Sequence, residues 1–282
     1  MTRSSVDNIL QVMTENAIST DLLLQSAIEA TRIGGAINTE HFAGTKSKNF
    51  QNKNIDAQWD PVTEVDQLAE RKITSYLSKL FPDHAFLGEE NIAGQVSEGD
   101  HLWVVDPIDG TVNYIHGIPH YAVAVGYAYK GTMMVAACLD PIRNELFTAT
   151  RGEGACLNGF PIKVSSVNRL EDSIIATGFY YDRGAMMERT LDSIRRLFHR
   201  HIHGIRRCGS SVLDMCWTAA GRYDGFFEYE LGPWDFAATS LILSEAGATI
   251  SRTDRSPVDL SPGSFVAASP AIYDELLDVI GD

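Results

Sequence analysis

Leu102-Trp103-Val104-Val105-Asp106-Pro107-Ile108-Asp109-Gly110-Thr111 is a short apolar run that ends in two carboxylates, a proline and a glycine. The apolar part reads as a buried strand. Pro107 lacks an N–H and Gly110 permits a tight bend, so strand pairing is expected to end there and a turn to carry Asp109 off the strand axis. Such a turn aims both carboxylates at one point beside the carbonyl of Ile108. Hard cations such as Mg2+ take carboxylate, carbonyl and water oxygens and keep positions open for a phosphate. Carboxylates gathered without a cation would repel and raise one another's pKa, a conflict that metal binding resolves.

Working outward, three further acidic sites occur where strands stop or helices start. Gly88-Glu89-Glu90 follows the apolar run Ala85-Phe86-Leu87. Asp66 falls in the first turn of a helix over 64–80, whose Ile73, Tyr76, Leu77 and Leu80 share one face and whose start Thr63 can cap. Trp234-Asp235 opens a helix over 234–246 that Gly247 closes. Taken singly, the four acidic sites, Asp106-Pro107-Ile108-Asp109 included, are a turn, a solvated pair and two helix-start carboxylates. Together they sit where binding sites form in layered folds. Thr111 adds a hydroxyl at the start of a short helical segment through Asn113, and the N–H groups of Gly110 and Thr111 can hold phosphate oxygens. Gly209-Ser210-Ser211 opens a helix over 210–220 in the same manner. No G-x-S-x-G elbow, P-loop, HExxH or persuasive Cys/His pair offers another chemistry.

The rest of the chain alternates. A helix is expected over 21–37, a polar loop over 40–60, and a hairpin at Lys130-Gly131 between strands 122–129 and 132–139. Further strands are expected at 145–150, 155–157, 174–176, 202–207, 224–229 and 265–268. Helices are expected over 185–199 and from Pro270. This pattern is α+β, with layered sheets and helices. No Pro/Ser linker divides the 282 residues, so they read as one unit, with a metal- and phosphate-binding half (1–160) and a substrate-binding half (161–282). His201 and His203 would share a strand face, although no third ligand accompanies them. Phe226, Phe227 and Tyr229 read as sheet core and dimer surface.

The formal net charge of −14 disfavours nucleic acid and anionic membrane as partners, and obliges an anionic substrate to meet a local inversion of the field, which bound cations provide. No stretch is apolar enough to span a bilayer, and the N-terminus lacks a signal-peptide core. The four cysteines (Cys138, Cys156, Cys208, Cys216) read as reduced thiols of a cytoplasmic protein.

At these motifs the sequence resembles the inositol monophosphatase family, part of a wider group of lithium-sensitive, metal-dependent phosphatases. The resemblance rests on Gly88-Glu89-Glu90, on Trp103 to Asn113, and on Trp234 to Ala238 leading into Glu245-Ala246-Gly247. His116 to His120, Asp140 to Phe147 and Ala176 to Phe179 support it. It implies an αβαβα layered sandwich of the type shared with fructose-bisphosphatases, a homodimer, and two to three Mg2+ ions per subunit. Glu89, Asp106 and the Ile108 carbonyl resemble the ligands of a first ion, and Asp106, Asp109 and Asp235 those of a second. Glu89 with waters would hold a weaker third. Asp66 and Thr111 resemble the pair that activates the attacking water, and Gly110 and Thr111 the phosphate-binding turn. Asp109, Gly209, Ser210, Ser211 and Glu228 fall where the family contacts polyol hydroxyls.

The activity so implied is Mg2+-dependent hydrolysis of a small phosphorylated polyol, inositol-1-phosphate first. Histidinol phosphate, fructose-1,6-bisphosphate and a bisphosphate nucleotide are the alternative substrates, and a regulatory binding protein on the same scaffold is the non-enzymatic one. Three departures bear on this: Val112 stands where Thr is frequent, although Val also occurs there; Ser211 stands where many inositol phosphatases carry Ala; and the 40–60 stretch is long, with Lys46, Lys48 and Lys53 all candidates to approach the third ion.

Overall fold

The protein is described by a computed structural model over residues 19–42, 51–52, 61–90, 99–181 and 183–281. Helix α1 (Thr20–His41) precedes a two-residue antiparallel pair, β1 (Gln51–Asn52) with β2 (Pro61–Val62). The remainder of the expected 40–60 loop, with Lys46, Lys48 and Lys53, lies outside the described residues. Helix α2 (Glu64–Leu80) starts on a capping box: Thr63 accepts from the N–H groups of Val65 and Asp66, while Asp66 accepts from the N–H of Thr63. Such a cap contributes about 0.5–2 kcal/mol.

The first sheet runs β3 (Ala85–Gly88), β4 (His101–Asp109), β5 (Ala122–Tyr129), β6 (Thr132–Asp140), β7 (Glu145–Thr150), β8 (Gly154–Leu157) and β9 (Phe160–Pro161) in that spatial order. Period-two alternation sorts its side chains. Trp103, Val105, Val123, Val125 and Tyr127 point to a core shared with α1 and α2, whereas Val104, Ala122, Ala124 and Ala128 point the other way. Between β4 and β5 lies α3 (Thr111–Ile115). Lys130 and Gly131, at φ 49° and 73°, make the expected hairpin turn between β5 and β6.

The second sheet has the order β11-β10-β12-β14-β13, formed by β10 (Ile174–Thr177), β11 (Gly204–Arg206), β12 (Gly225–Leu231), β13 (Thr249–Ser251) and β14 (Gly263–Ala268). Helix α4 (Ala185–His199) and the C-terminal α7 (Tyr273–Ile280) cover its outer face through Ile175, Phe227, Tyr229 and Val266. Helices α5 (Ser211–Ala219) and α6 (Pro233–Glu245) fill the space between the sheets, packed on Val104 and the alanines from one side and on Phe226 and Phe265 from the other. The layers are therefore α1/α2, sheet, α5/α6, sheet, α4/α7, an α+β fold in the αβαβα order that the family resemblance implies.

Three expectations are corrected. Strand β4 does not end at Pro107 but continues to Asp109. Asp106 pairs with Ala124 and Asp109 with Ala122, so one extra residue is absorbed as a bulge at the residue that has no N–H to pair. His201 and His203 share no strand face: His201 sits in a turn at φ 58° and β11 begins only at Gly204. Phe226, Phe227 and Tyr229 are all buried within the chain and present no surface for a second subunit. The Tyr229 hydroxyl donates to the carbonyl of Ile280 at 2.7 Å.

Candidate active site

The bulge in β4 creates the site. It turns Asp106 and Asp109 toward the inter-sheet layer, and Asn38 of α1 steadies it by donating to the carbonyl of Pro107 at 2.8 Å. Gly110 then takes a left-handed conformation (φ 95°) that starts α3. From across the layer, α6 begins at Pro233 and carries Asp235 at its third residue, where Asp235 accepts the Gly232 N–H at 2.7 Å. Carboxylate oxygens of Asp106, Asp109 and Asp235, from three separated segments, thus lie within 4.8 Å of one another.

Asp109 is held from below by the start of α5. Ser210 and Ser211 donate hydroxyls to its two oxygens, the Ser211 N–H donates at 3.2 Å, and the Val212 N–H at 3.0 Å. The helix N-terminus read from the sequence as an anion site is occupied by this carboxylate, because a buried charge needs donors and α5 offers the nearest unpaired ones. Burial nevertheless pushes the Asp109 pKa up to about 6, and Glu89 adds to the rise against those hydrogen bonds. Desolvation, then the charges of Asp109, Glu89 and Glu228, hold Asp235 well above its ordinary value. Burial and like charge thus disfavour the ionised cluster, a cost that a bound cation would relieve.

Glu89 follows β3 and keeps the pairing going, its N–H donating to the carbonyl of Val105 at 3.2 Å. Its carboxylate reaches the same cavity but stands outside the close group of three. A residue that the sequence did not single out holds this turn: buried Glu70 of α2 accepts the Glu90 N–H at 2.8 Å. Gly88 is what lets Glu70 in, since a Cβ there would lie 2.4 Å from its carboxyl carbon.

Asp66 and Thr111, 45 residues apart in sequence, meet beside the carboxylate group. The Thr111 hydroxyl lies 3.2 Å from Asp66 Oδ1 and 3.0 Å from the Ile108 carbonyl, so its single hydrogen is shared between them. Asp66 Oδ2 is occupied by the N–H (3.0 Å) and hydroxyl of Thr63. The cap that starts α2 thereby orients a site residue.

These groups open onto a cavity of about 410 Å³. Glu89, Asp106, Ile108, Asp109, Gly110, Thr111, Gly209, Ser210, Ser211, Glu228 and Asp235 all line it; Asp66 alone of the predicted residues does not, and it contacts the lining residue Thr111. Glu228 of β12 is accommodated against Gly178, where a Cβ would sit 2.0 Å from its carboxylate oxygen. Burial raises its pKa to about 8, with Arg207 opposing and Asp109 adding to the shift. Arg207, Asp214 and Tyr180 also line the cavity and were not anticipated. The Arg-Arg pair before Cys208-Gly209 was the available signal for Arg207, but it reads equally as an exposed strand end.

Comparison with known proteins agrees with this geometry. The sequence profile of the inositol monophosphatase family matches residues 20–280. The Nus factor SuhB of Pseudomonas aeruginosa is 44% identical over 226 residues, covering 78% of this chain and 83% of that protein. The inositol monophosphatase of Anabaena (Nostoc) sp. PCC 7120 superposes with a TM-score of 0.81 at 32% identity, over 92% of this chain and 95% of that one. An IMPase/NADP phosphatase solved with Mg2+ and phosphate superposes at 0.77 with 27% identity, over 92% and 94%. The chain, with its carboxylate cluster at the β4 bulge and its αβαβα layers, belongs to the inositol monophosphatase family of phosphatases.

Proposed function

We propose that the chain hydrolyses a small phosphate monoester with Mg2+, with inositol-1-phosphate as the first substrate. The observation that carries this reading is the convergence of Asp106, Asp109 and Asp235 within 4.8 Å at the cavity wall. An all-oxygen donor set of mutually repelling carboxylates suits Mg2+ better than a softer ion. Glu89, Asp106 and the Ile108 carbonyl would hold one ion, Asp106, Asp109 and Asp235 a second, and Glu89 with waters a third. Bound Mg2+ supplies Lewis acidity that lowers the pKa of a water and neutralises charge on the leaving oxygen.

The chain's own residues do the rest. Thr111 hands its proton to Asp66 while taking one from the attacking water, a relay consistent with the 3.2 Å contact between them. Thr63 keeps Asp66 pointed at that hydroxyl. The phosphoryl group passes in line to water: the P–O bond to the alcohol breaks as the new P–O bond forms, and no covalent enzyme intermediate is needed. The N–H groups of Gly110 and Thr111 hold phosphate oxygens. Glu228, Ser211 and Gly209 offer hydrogen-bonding groups to a hydroxyl-rich alcohol. Arg207 is the single cationic side chain among the described residues lining the cavity, which favours one phosphate over two.

Phosphate release from inositol-1-phosphate, histidinol phosphate, fructose-1,6-bisphosphate and adenosine 3′,5′-bisphosphate, with and without Mg2+, tests the reading. Inositol-1-phosphate should be turned over fastest and only with Mg2+. Millimolar Li+ should inhibit. Faster release from either bisphosphate overturns the substrate assignment.

A second reading is favoured by the P. aeruginosa relative, which is named a Nus factor. This chain would then act as a Nus factor beside hydrolysis, and its net charge of −14 directs such a role to a protein partner. Expression of the wild type and of Asp106→Asn in a P. aeruginosa strain lacking SuhB separates the two. Rescue by both assigns a role independent of turnover; rescue by neither removes this reading.

A further inference from the structure

A second group of metal-ligating side chains lies beside the cleft, and its chemistry differs from that of the carboxylate cluster. His120 precedes β5, Cys208 follows β11, and Asp214 is one turn into α5. A ring nitrogen, the sulfur and a carboxylate oxygen of these three lie within 4.8 Å of one another. His120 is 7% exposed and its Nε2 has no hydrogen-bond partner among the described residues. Asp214 is 1% exposed, and its Oδ1 likewise has none. Two buried polar atoms left unsatisfied on neighbouring elements are costly unless something between them, a donor or a cation, takes up their lone pairs.

The backbone around them is already braced. Asn113 Nδ2 donates to the carbonyl of His120 at 2.8 Å and to that of Cys208 at 2.9 Å, so one amide clamps the segments that carry nitrogen and sulfur. Trp217, further along α5, meets the His120 ring edge-on at 5.4 Å and fixes its plane. Of the three side chains Cys208 is the least confined, its sulfur making a long 3.6 Å contact to the Tyr223 hydroxyl.

We propose that His120, Cys208 and Asp214 bind a borderline transition-metal dication, Zn2+ foremost, at a site separate from the Asp106/Asp109/Asp235 cluster. One nitrogen, one sulfur and one oxygen form a donor set that selects Zn2+ over Mg2+, whereas the all-oxygen cluster does the reverse. Zn–N and Zn–S bonds at tetrahedral angles need ligand atoms roughly 3.3–3.8 Å apart, which a rotation of the Cys208 side chain can supply. Binding exchanges the thiol S–H for an S–Zn bond and releases that proton to solvent. Asp214 also lines the active-site cavity, so a water from the cleft can take the fourth position. A filled site would tie the segment before β5 to the start of α5, the element that holds Asp109.

The test uses the full chain stripped of metal with a chelator, then loaded with Co2+ as a coloured substitute for Zn2+, in excess Mg2+. Thiolate bonded to Co2+ produces a charge-transfer absorption that an all-oxygen site cannot. The expected result is this band at one equivalent in the wild type, together with one Zn2+ retained after dialysis and a raised Tm. Cys208→Ser and His120→Gln should abolish the band and weaken Zn2+ binding at least tenfold, while their metal-free Tm stays near that of the wild type. Asp106→Asn should keep the band. Absence of the band in the wild type overturns the proposal. So does Zn2+ uptake that survives Cys208→Ser and disappears in Asp106→Asn, in which case a water bridges His120 and Asp214.

Discussion

Ser211 donates twice to the same oxygen of Asp109, through its N–H at 3.2 Å and its hydroxyl at 2.8 Å. The contact ties the start of α5 to the β4 bulge, 102 residues apart. Donors to an ionised carboxylate lower its pKa against the burial that raises it. Ser211→Ala removes one of them and leaves the N–H. The apparent Mg2+ affinity should fall severalfold at pH 6 and approach the wild-type value at pH 8, where Asp109 is ionised in both. Mg2+ titrations of phosphate release at the two pH values measure this.

Asp235→Asn should abolish turnover and yet raise the Tm of the metal-free protein. The amide can still accept the Gly232 N–H at 2.7 Å, and it relieves the repulsion that Asp109, Glu89 and Glu228 exert on a carboxylate there. Calorimetry of the apo variant checks the sign. A lowered Tm would show that no such repulsion operates.

The pH dependence of apo stability follows from Asp109 and Glu228, whose folded-state pKa values are raised to about 6 and about 8. Between their ordinary values and these, the folded state keeps protons that the unfolded state has lost. Stability should therefore fall as pH rises from about 4 to about 8, and Asp235, also held well above its ordinary value, deepens the fall. Glu228→Gln should remove the upper part of that slope, and Mg2+, which binds the ionised forms, should stabilise more as pH rises. Tm against pH for both proteins, with and without Mg2+, checks it.

Thr111→Ala breaks the link between Asp66 and the cavity, and should lower kcat by about 10²–10⁴ with little change in KM. Thr111→Ser keeps the hydroxyl and should remain within about tenfold of the wild type. Equal losses in both would mean that the Thr111 methyl group, not proton transfer, matters at this position.

Gly88→Ala places a Cβ 2.4 Å from the Glu70 carboxyl carbon. The displacement should cost about 1–3 kcal/mol of stability and disturb the Glu89 turn, raising the Mg2+ concentration needed for activity. Adding Glu70→Ala relieves the clash, so the double variant should be more stable than the sum of the single losses, a coupling that denaturant titration reads directly.

Much of this architecture was legible in local sequence, because the signals concerned act over one turn or one strand. Thr63 and Asp66 mark the start of α2, Gly221 and Gly247 close α5 and α6, and alternating valines and alanines sort the two faces of β4 and β5. The residue types that suit Mg2+, and the motifs that gather them, could be named in advance for the same reason. Local rules failed where a distant segment supplied the missing group. Pro107 could stay within a strand because a bulge against β5 absorbed it and Asn38 of α1 bonded its carbonyl. The serines at the start of α5 turned to Asp109, Glu70 came to brace Glu89, and His120 met Cys208 and Asp214 across two elements. The sequence by itself determined which elements form and which carboxylates stand at their ends. Only the tertiary structure decided which buried charge each donor satisfies, since that depends on the nearest partner in space once water has been excluded.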